Sequence, residues 1–209
     1  MNPSFKKNLY SILASVFFLV IAAGSSQVNK IRCGEFSLKP NGENNTDHRN
    51  FVELFDGTIV YGSEVSMSKG TLFVKDNVKI DNNKYNLKDV KAYFDDGVYN
   101  LQHNGNFYRR IVHGKLNLYA HIGLVTVTTV QSNGAIQNRG ESECFFFVQN
   151  GEDGQLVLLV TKDEIKALVK DCPKAFALAD KTNKEIRRAI REDTFYLNNI
   201  FTIYNNDCK

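Results

Sequence analysis

The sequence lacks the compact motifs by which many enzymes are identified. It contains no G-x-S-x-G, H-E-x-x-H, G-x-G-x-x-G, P-loop or C-x-x-C segment. Nothing therefore indicates a hydrolase nucleophile elbow, a zinc protease helix, a phosphate-binding loop or a close-spaced zinc site. Tryptophan is absent too, but 15 Phe and 9 Tyr supply aromatic material for a β-rich core. These absences favour a non-catalytic protein without deciding against an enzyme, and we expect no cofactor and no metal.

Long hydrophobic runs are limited to one, at the N-terminus. Lys6 and Lys7 precede an apolar run from Leu9 to Ala23, and the small residues 22–26 follow it. The run is shorter than the roughly 20 residues of a membrane span, and this pattern is typical of a cleavable signal peptide. We predict that residues 1–26 are removed, with cleavage after Ser26. Cys33 lies too far from this point for a lipobox, which argues against a lipid anchor. No second apolar run follows, so we expect a secreted or periplasmic protein without a transmembrane segment.

An excess of charge of either sign is absent as well. The chain has 26 basic and 23 acidic residues, and the predicted signal contains Lys6 and Lys7 but no acid, which leaves 24 basic residues against 23 acidic ones. A nucleic-acid-binding surface requires a concentration of basic residues. The near-neutral balance therefore argues against a nucleic-acid partner.

Short β-prone runs separated by turn residues occupy the part of the chain before Thr161. The turns are Asp-Gly, Asn-Gly and similar pairs, which tolerate positive φ and favour tight connections between adjacent strands. We therefore predict an antiparallel β domain over residues 27–160. It would be a meander forming a curved sheet, a sandwich or a partial barrel.

From Thr161 the apolar period changes from two to about 3.6 residues. Two segments, Thr161–Glu164 and Thr182–Glu185, have the S/T-x-x-E spacing of a capping box. Pro173 ends one helix and can begin the next. These signals predict about four short helices over residues 161–209, packed on the β domain. The fold class is thus α+β.

The four cysteines all follow the predicted signal, and in an oxidising compartment they can form disulfides. Cys172 lies where the first two helices meet, and Cys208 continues the apolar stripe of the last one. We predict a Cys172–Cys208 disulfide. Cys33 and Cys144 are then the residual pair, with a buried free thiol at Cys144 as the alternative.

Candidate binding residues lie on a hairpin over residues 107–122. A two-residue turn at Gly114–Lys115 would place Phe107, Ile111, Leu116, Leu118 and Ile122 on a core face. The opposite face would then present Tyr108, Arg110, Tyr119 and His121, with Asn117. We predict that these four aromatic and basic residues form an exposed binding patch, with Arg110 able to make cation–π contacts. The alternative is an ordinary exposed sheet surface, or one covered by the helices. The same register places His113 and His121 on opposite faces, which disfavours a metal site.

Several segments resemble a family of uncharacterised secreted proteins of Bacteroidetes-type bacteria. They are the signal, residues 56–62, residues 85–93, residues 107–119, and in the tail Asp171-Cys172-Pro173 and residues 204–208. The resemblance implies an exported bacterial protein with a β-rich body and a helical tail. It implies no activity and no site residues.

Together these features favour a non-catalytic extracytoplasmic module. Its partner would be a protein, a glycan or an envelope component. The alternative is a secreted hydrolase with dispersed catalytic residues. A pocket that combines His, a carboxylate and a hydroxyl would favour the hydrolase.

Overall fold

A computed structural model of the chain describes residues 31–32, 49–68, 76–193 and 195–208. The predicted signal, its cleavage site and Cys33 lie outside the described residues. Within these ranges the chain forms strands up to Leu158 and helices from Lys162 onward, which confirms the α+β class. The strands are β1 (Ile31–Arg32), β2 (Asn50–Leu54), β3 (Ile59–Gly62), β4 (Val65–Ser68), β5 (Asn77–Ile80), β6 (Asn83–Asn86), β7 (Val90–Asp95), β8 (Val98–His103), β9 (Asn106–Val112), β10 (Leu116–Val130), β11 (Ile136–Asn150) and β12 (Val157–Leu158).

The strands form two antiparallel sheets. The large sheet has nine strands in the order β1-β11-β10-β9-β8-β7-β2-β3, with β12 also paired to β11. The small sheet has the order β4-β5-β6. Neighbours in the large sheet from β7 to β11 are also consecutive in sequence, so this part is the predicted meander. Tight turns connect them: Asp96–Gly97 and Asn104–Gly105 both adopt positive φ, as these residue types allow.

Four helices follow in the described chain. They are α1 (Lys162–Leu168), α2 (Pro173–Ala179), α3 (Asn183–Glu192) and α4 (Tyr196–Asp207). Both predicted capping boxes are present: the Thr161 hydroxyl accepts from Glu164 N, the Thr182 hydroxyl accepts from Glu185 N, and each glutamate reaches back to its threonine's backbone N–H. Pro173 is the first residue of α2, as its fixed φ favours.

The predicted disulfide joins the start of α2 to the end of α4. Cys172 and Cys208 are bonded, with Cα atoms 5.4 Å apart. Cys144 is disulfide-bonded as well, so the alternative of a free thiol at that position is wrong. Its predicted partner Cys33 lies outside the described residues, and that pairing stays a prediction.

The helices cover one face of the large sheet at its β9–β11 end. Their buried side chains pack on Ile111, Leu118, Ala120 and Phe146 in the main hydrophobic core. Asn205 of α4 completes this contact, because its amide accepts from Leu116 N at 2.9 Å and donates to Leu116 O at 2.9 Å. Gly114 is required beside it: a Cβ there would lie 2.5 Å from Asn205 Cγ.

The small sheet covers the same face of the large sheet at its other end. Val65, Val78 and Ile80 of the small sheet form a core with Val52 and Val90 of the large one. A polar connection holds the two sheets at their edge, since Asp81 Oδ1 accepts from the hydroxyl of Ser63 at 2.6 Å and from its backbone N–H at 3.0 Å. One face of the large sheet thus has two covers, the helices and the small sheet. Within the described residues, no helix combines the length and the apolar character needed to span a membrane.

Candidate functional site

The hairpin that carries the predicted binding patch has one register shift. Arg110 pairs with Tyr119, as predicted, but Val112 rather than Ile111 lies opposite Leu118. A β-bulge between these two pairs explains the difference, because one extra residue is accommodated near the turn. The core side of the prediction holds for Ile111, Leu116 and Leu118, which are buried, whereas Ile122 is 52% exposed.

The four residues of the predicted patch lie close to one another, but they are not exposed to solvent. Tyr108, Arg110 and Tyr119 are all buried, and His121 is half-buried against Tyr108 with ring centroids 4.9 Å apart. The expectation of a solvent-facing surface is therefore wrong. Tyr108 and Tyr119 form a second core on this face with Phe94 and Tyr99, and Leu156 from the segment after β11 helps to cover it. A direct role of these residues in binding stays a prediction that would require this cover to open.

The cover at Arg110 is a loop that follows β11. Arg110 Nη1 donates to both carboxylate oxygens of Glu152, at 3.0 and 3.1 Å, and the guanidinium stacks 4.0 Å from the Tyr99 ring centroid. Gln149 holds the loop from below, since its Nε2 donates to Glu152 O and Gly154 O while its Oε1 accepts from the Tyr119 hydroxyl. The predicted cation–π capacity of Arg110 is thus used inside the molecule.

The network around Glu152 also contains the one His–carboxylate pair that the described residues place near the hairpin. His113 Nε2 donates to Glu152 Oε1 at 2.8 Å. The Glu152 carboxylate also accepts hydrogen bonds from Arg110 and, at 3.5 Å, from the side-chain amide of Asn117. The recorded partners of this pair are thus a guanidinium and an amide rather than a hydroxyl nucleophile. Within the described ranges no group of three or more His, Cys, Asp and Glu side chains is placed to hold a metal.

A cavity lies on the opposite face of the same strands, between the large and small sheets. Its volume is about 340 Å³, within the range of small-molecule sites. Its floor is the large sheet, and its roof comes from β4, β5 and the 3-10 turn at Leu87–Asp89. The lining residues from the floor include Tyr93, Asn100, Phe107, Arg109, Ala120 and Ile122, and those from the roof include Met67, Ser68, Asp76, Asn77 and Leu87.

A cross-strand row explains why polar side chains reach this floor. Tyr93 pairs with Asn100, Asn100 with Arg109, and Arg109 with Ala120, on four adjacent strands. Directly paired residues project to the same face, and strands lie about 4.8 Å apart. The row therefore places a phenol, an amide and a guanidinium side by side. Ala120 has only a methyl group next to Arg109, which leaves space there.

Arg109 is the distinctive member of this row. Its Nε is shielded from solvent and has no hydrogen-bond partner among the described residues, and the guanidinium forms no ion pair with them. Burial lowers the pKa of Arg109 from its ordinary value, while Tyr93 and Asp96 oppose this shift. A guanidinium stays protonated at neutral pH despite such a shift. Among the described residues, the guanidinium therefore has no carboxylate in contact, although Asp76 lines the same cavity.

Tyr93 adds a neutral donor beside that charge. Burial, followed by the charge of Asp95, raises the pKa of its hydroxyl, so the group is protonated at neutral pH. Its ring is fixed edge-on against Phe107 at 4.7 Å between centroids. The floor can thus present a guanidinium and a phenolic O–H to one ligand, with apolar walls around them.

The sequence reading missed Arg109, although a signal was present. Strict alternation from Phe107 places Arg109 on the predicted core face, where a charged side chain is costly unless it is paired. A charged residue in an apolar register position is a reason to expect a special environment.

Comparison with known proteins identifies no relative. No family model matches the chain, and no match is found among curated proteins or among solved structures.

Proposed function

We propose that the chain is an exported, non-catalytic binding module that takes a small ligand in the cavity between its two sheets. The observation that carries this proposal is Arg109, a half-buried cation whose shielded Nε has no hydrogen-bond partner and which forms no ion pair among the described residues, in a cavity of about 340 Å³. A protein pays for such a group in stability, so its presence in a shaped cavity favours a ligand that completes it.

Export is part of the same proposal. The N-terminal pattern of Lys6, Lys7 and an apolar run supports it from the sequence. The Cys172–Cys208 disulfide supports it from the structure, because such bonds form and persist in oxidising compartments. The resemblance to secreted Bacteroidetes-type proteins agrees with it. Mass spectrometry of the exported protein should show Gln27 as the first residue.

Ligand-observed NMR with a small-molecule fragment library tests the binding function. We expect hits on the wild-type protein that disappear when a bulky side chain fills the cavity mouth, as in Ser68→Trp or Asn106→Trp, both at exposed lining positions. Lys84→Trp is the matched control, since Lys84 is exposed on the same small sheet but does not line the cavity. Hits that persist in both blocked variants would place binding elsewhere.

The same samples distinguish the module from a secreted hydrolase. A binding module returns each bound compound unchanged after prolonged incubation. Chemical conversion that is lost on blocking the cavity would instead assign catalysis to this site.

A further inference from the structure

We propose that the ligand of this cavity is a small organic monoanion, such as an aliphatic or aryl carboxylate, whose acid group binds Arg109. The inference rests on the proposed function and specifies its ligand class. It follows from the charge, the donors and the walls of the cavity.

The charge of the site selects an anion. Arg109 is the one lysine or arginine among the described lining residues, and those residues provide it with no ion pair. An anion that enters the cavity can form charge-assisted hydrogen bonds with a guanidinium that the described residues leave without an ion pair. Such bonds are about twice as strong as neutral ones, so the acid group should dominate the recognition.

The number of charges favours one negative charge over two. One guanidinium balances one carboxylate, and its fork matches the two carboxylate oxygens. Asp76 also lines the cavity, and its carboxylate repels each negative charge that a ligand carries, which disfavours a dianion more than a monoanion. A phosphate dianion or a dicarboxylate would therefore carry an unbalanced charge into the site.

The donors and the walls fit the two ends of such a molecule. The Tyr93 hydroxyl can donate to the acid group beside Arg109, because the two residues are separated by only Asn100 in the cross-strand row. Met67, Leu87, Phe107 and Ile122 contribute apolar surface to the same cavity. An aliphatic or aromatic tail would cover these side chains, which are otherwise in contact with water.

Arg110, the next residue on the same strand, differs from Arg109 because it has partners within the protein. The neighbouring arginine is bound by Glu152 and stacked on Tyr99. The fold thus satisfies one arginine internally and leaves the next one available in a cavity.

Calorimetric titration with matched probes tests the inference on the intact protein. The acids are octanoate and 3-phenylpropanoate, the neutral probes are octanamide and 3-phenylpropanamide, and inorganic phosphate is a separate arm. We expect at least one acid to bind roughly 10- to 100-fold more tightly than its amide, the range given by one charge-assisted hydrogen-bond pair. Higher salt should weaken the acid and leave the amide unchanged.

The variants locate the charge that is responsible. Arg109→Met should remove the preference for the acid, Arg109→Lys should retain part of it, and Tyr93→Phe should reduce it. Arg188→Gln is the control, since Arg188 is an exposed arginine of α3 paired with Glu192. The acid–amide comparison on the wild-type protein does not depend on whether any variant folds.

Each outcome has a defined meaning. Equal binding of acid and amide in the cavity overturns the anion inference but keeps the binding function. Preference for phosphate over both acids overturns the monoanion assignment. An acid preference that survives in Arg109→Met overturns the role of Arg109. Absence of any binding, together with an empty fragment screen, overturns the binding function itself.

Discussion

Arg109 and Arg110 are neighbours on one strand, and the two faces of the sheet treat them oppositely. Arg110 belongs to an aromatic face that a loop closes through Glu152, so its charge is neutralised within the molecule. Arg109 belongs to a polar row beneath the small sheet, where a cavity remains and no described residue neutralises it. The aromatic cluster around Arg110 is thus part of the core, and its neighbour Arg109 is the candidate for binding.

Polar side chains on the two faces of the large sheet differ in the same way. On the closed face, burial and the nearby Glu53 raise the pKa of the Tyr99 hydroxyl, which donates to Glu53 Oε2 at 3.4 Å. Glu53 in turn pairs with Lys91 at 2.6 Å. Polar groups on that face thus have partners inside the protein. On the cavity face the guanidinium and the phenol of the row have none recorded among the described residues.

The largest expected effect tests whether the aromatic face is a true core. Tyr119 is fully buried and its hydroxyl donates to Gln149. Tyr119→Ala should lower the free energy of unfolding by about 3–5 kcal/mol, as large aromatic truncations in cores do. Denaturant unfolding measures the change. Ile122→Ala, at an exposed position of the same strand, is the control and should cost less than about 1 kcal/mol. If both variants lost less than about 1 kcal/mol of unfolding free energy, Tyr119 would not be part of a core.

The next effect concerns the helices that cover the same face as the small sheet. Replacing both Cys172 and Cys208 by Ala opens a loop of 36 residues. Chain-entropy arguments give a loss of about 3–4 kcal/mol for a loop of this length. Hydrogen exchange should show the loss of protection in α2 and α4, while the pairing of β7 with β8 at the cavity floor keeps its protection. A uniform loss over both regions would show that the two covers of this face are not independent.

A direct comparison of the two arginines comes third. Arg110→Met should cost about 1–3 kcal/mol, because it removes the ion pair with a half-exposed Glu152 and the contact with Tyr99. Arg109→Met should be neutral or should stabilise the protein by up to about 1 kcal/mol, since it removes a shielded donor without a partner. Thermal and denaturant unfolding of the two variants compare them. A loss in Arg109→Met as large as that in Arg110→Met would break the contrast on which the candidate site rests.

The smallest expected effect concerns the attachment of the cavity roof. Hydrogen bonds from the Ser63 side chain and backbone lower the pKa of Asp81 below its ordinary value of 3.8. A group whose pKa is lower in the folded state contributes stability above its unfolded pKa and loses it as the pH falls. Asp81→Asn should therefore flatten the dependence of stability on pH below about pH 4. Denaturant unfolding at several acidic pH values measures this slope. An unchanged slope would show that Asp81 does not hold the roof in solution.

Much of the fold was predictable because it depends on local chemistry. The capping boxes at Thr161 and Thr182 use side chains three residues apart, and turns such as Asn104–Gly105 use residues that tolerate positive φ. The Cys172–Cys208 bond followed from helix periodicity, since one apolar stripe leads from Phe201 to Cys208. Such features need no knowledge of distant contacts.

The candidate site was not predictable in this way, and its misassignment has a clear cause. Alternation shows that Arg109 and Arg110 project to opposite faces, but it does not show what covers each face. The bulge opposite Leu118 shifted the end of the hairpin by one residue, and the loop with Glu152 buried a face whose composition indicated exposure. The contact between Glu152 and Arg110 joins residues 42 positions apart, beyond the reach of a local pattern.

The sequence by itself determined the change from strands to helices near Thr161, two helix caps, several tight turns and one disulfide, because most of these depend on residues within a few positions. Tertiary structure alone decided which arginine is neutralised and which remains available. Glu152 reaches Arg110 only after β11 has paired with β10, and the space above Arg109 exists only when the small sheet stands over a row that ends in Ala120. The free energy of a charged side chain depends on the groups that surround it in space. Arg109 and Arg110 share the same sequence neighbours, so the sequence alone does not distinguish them.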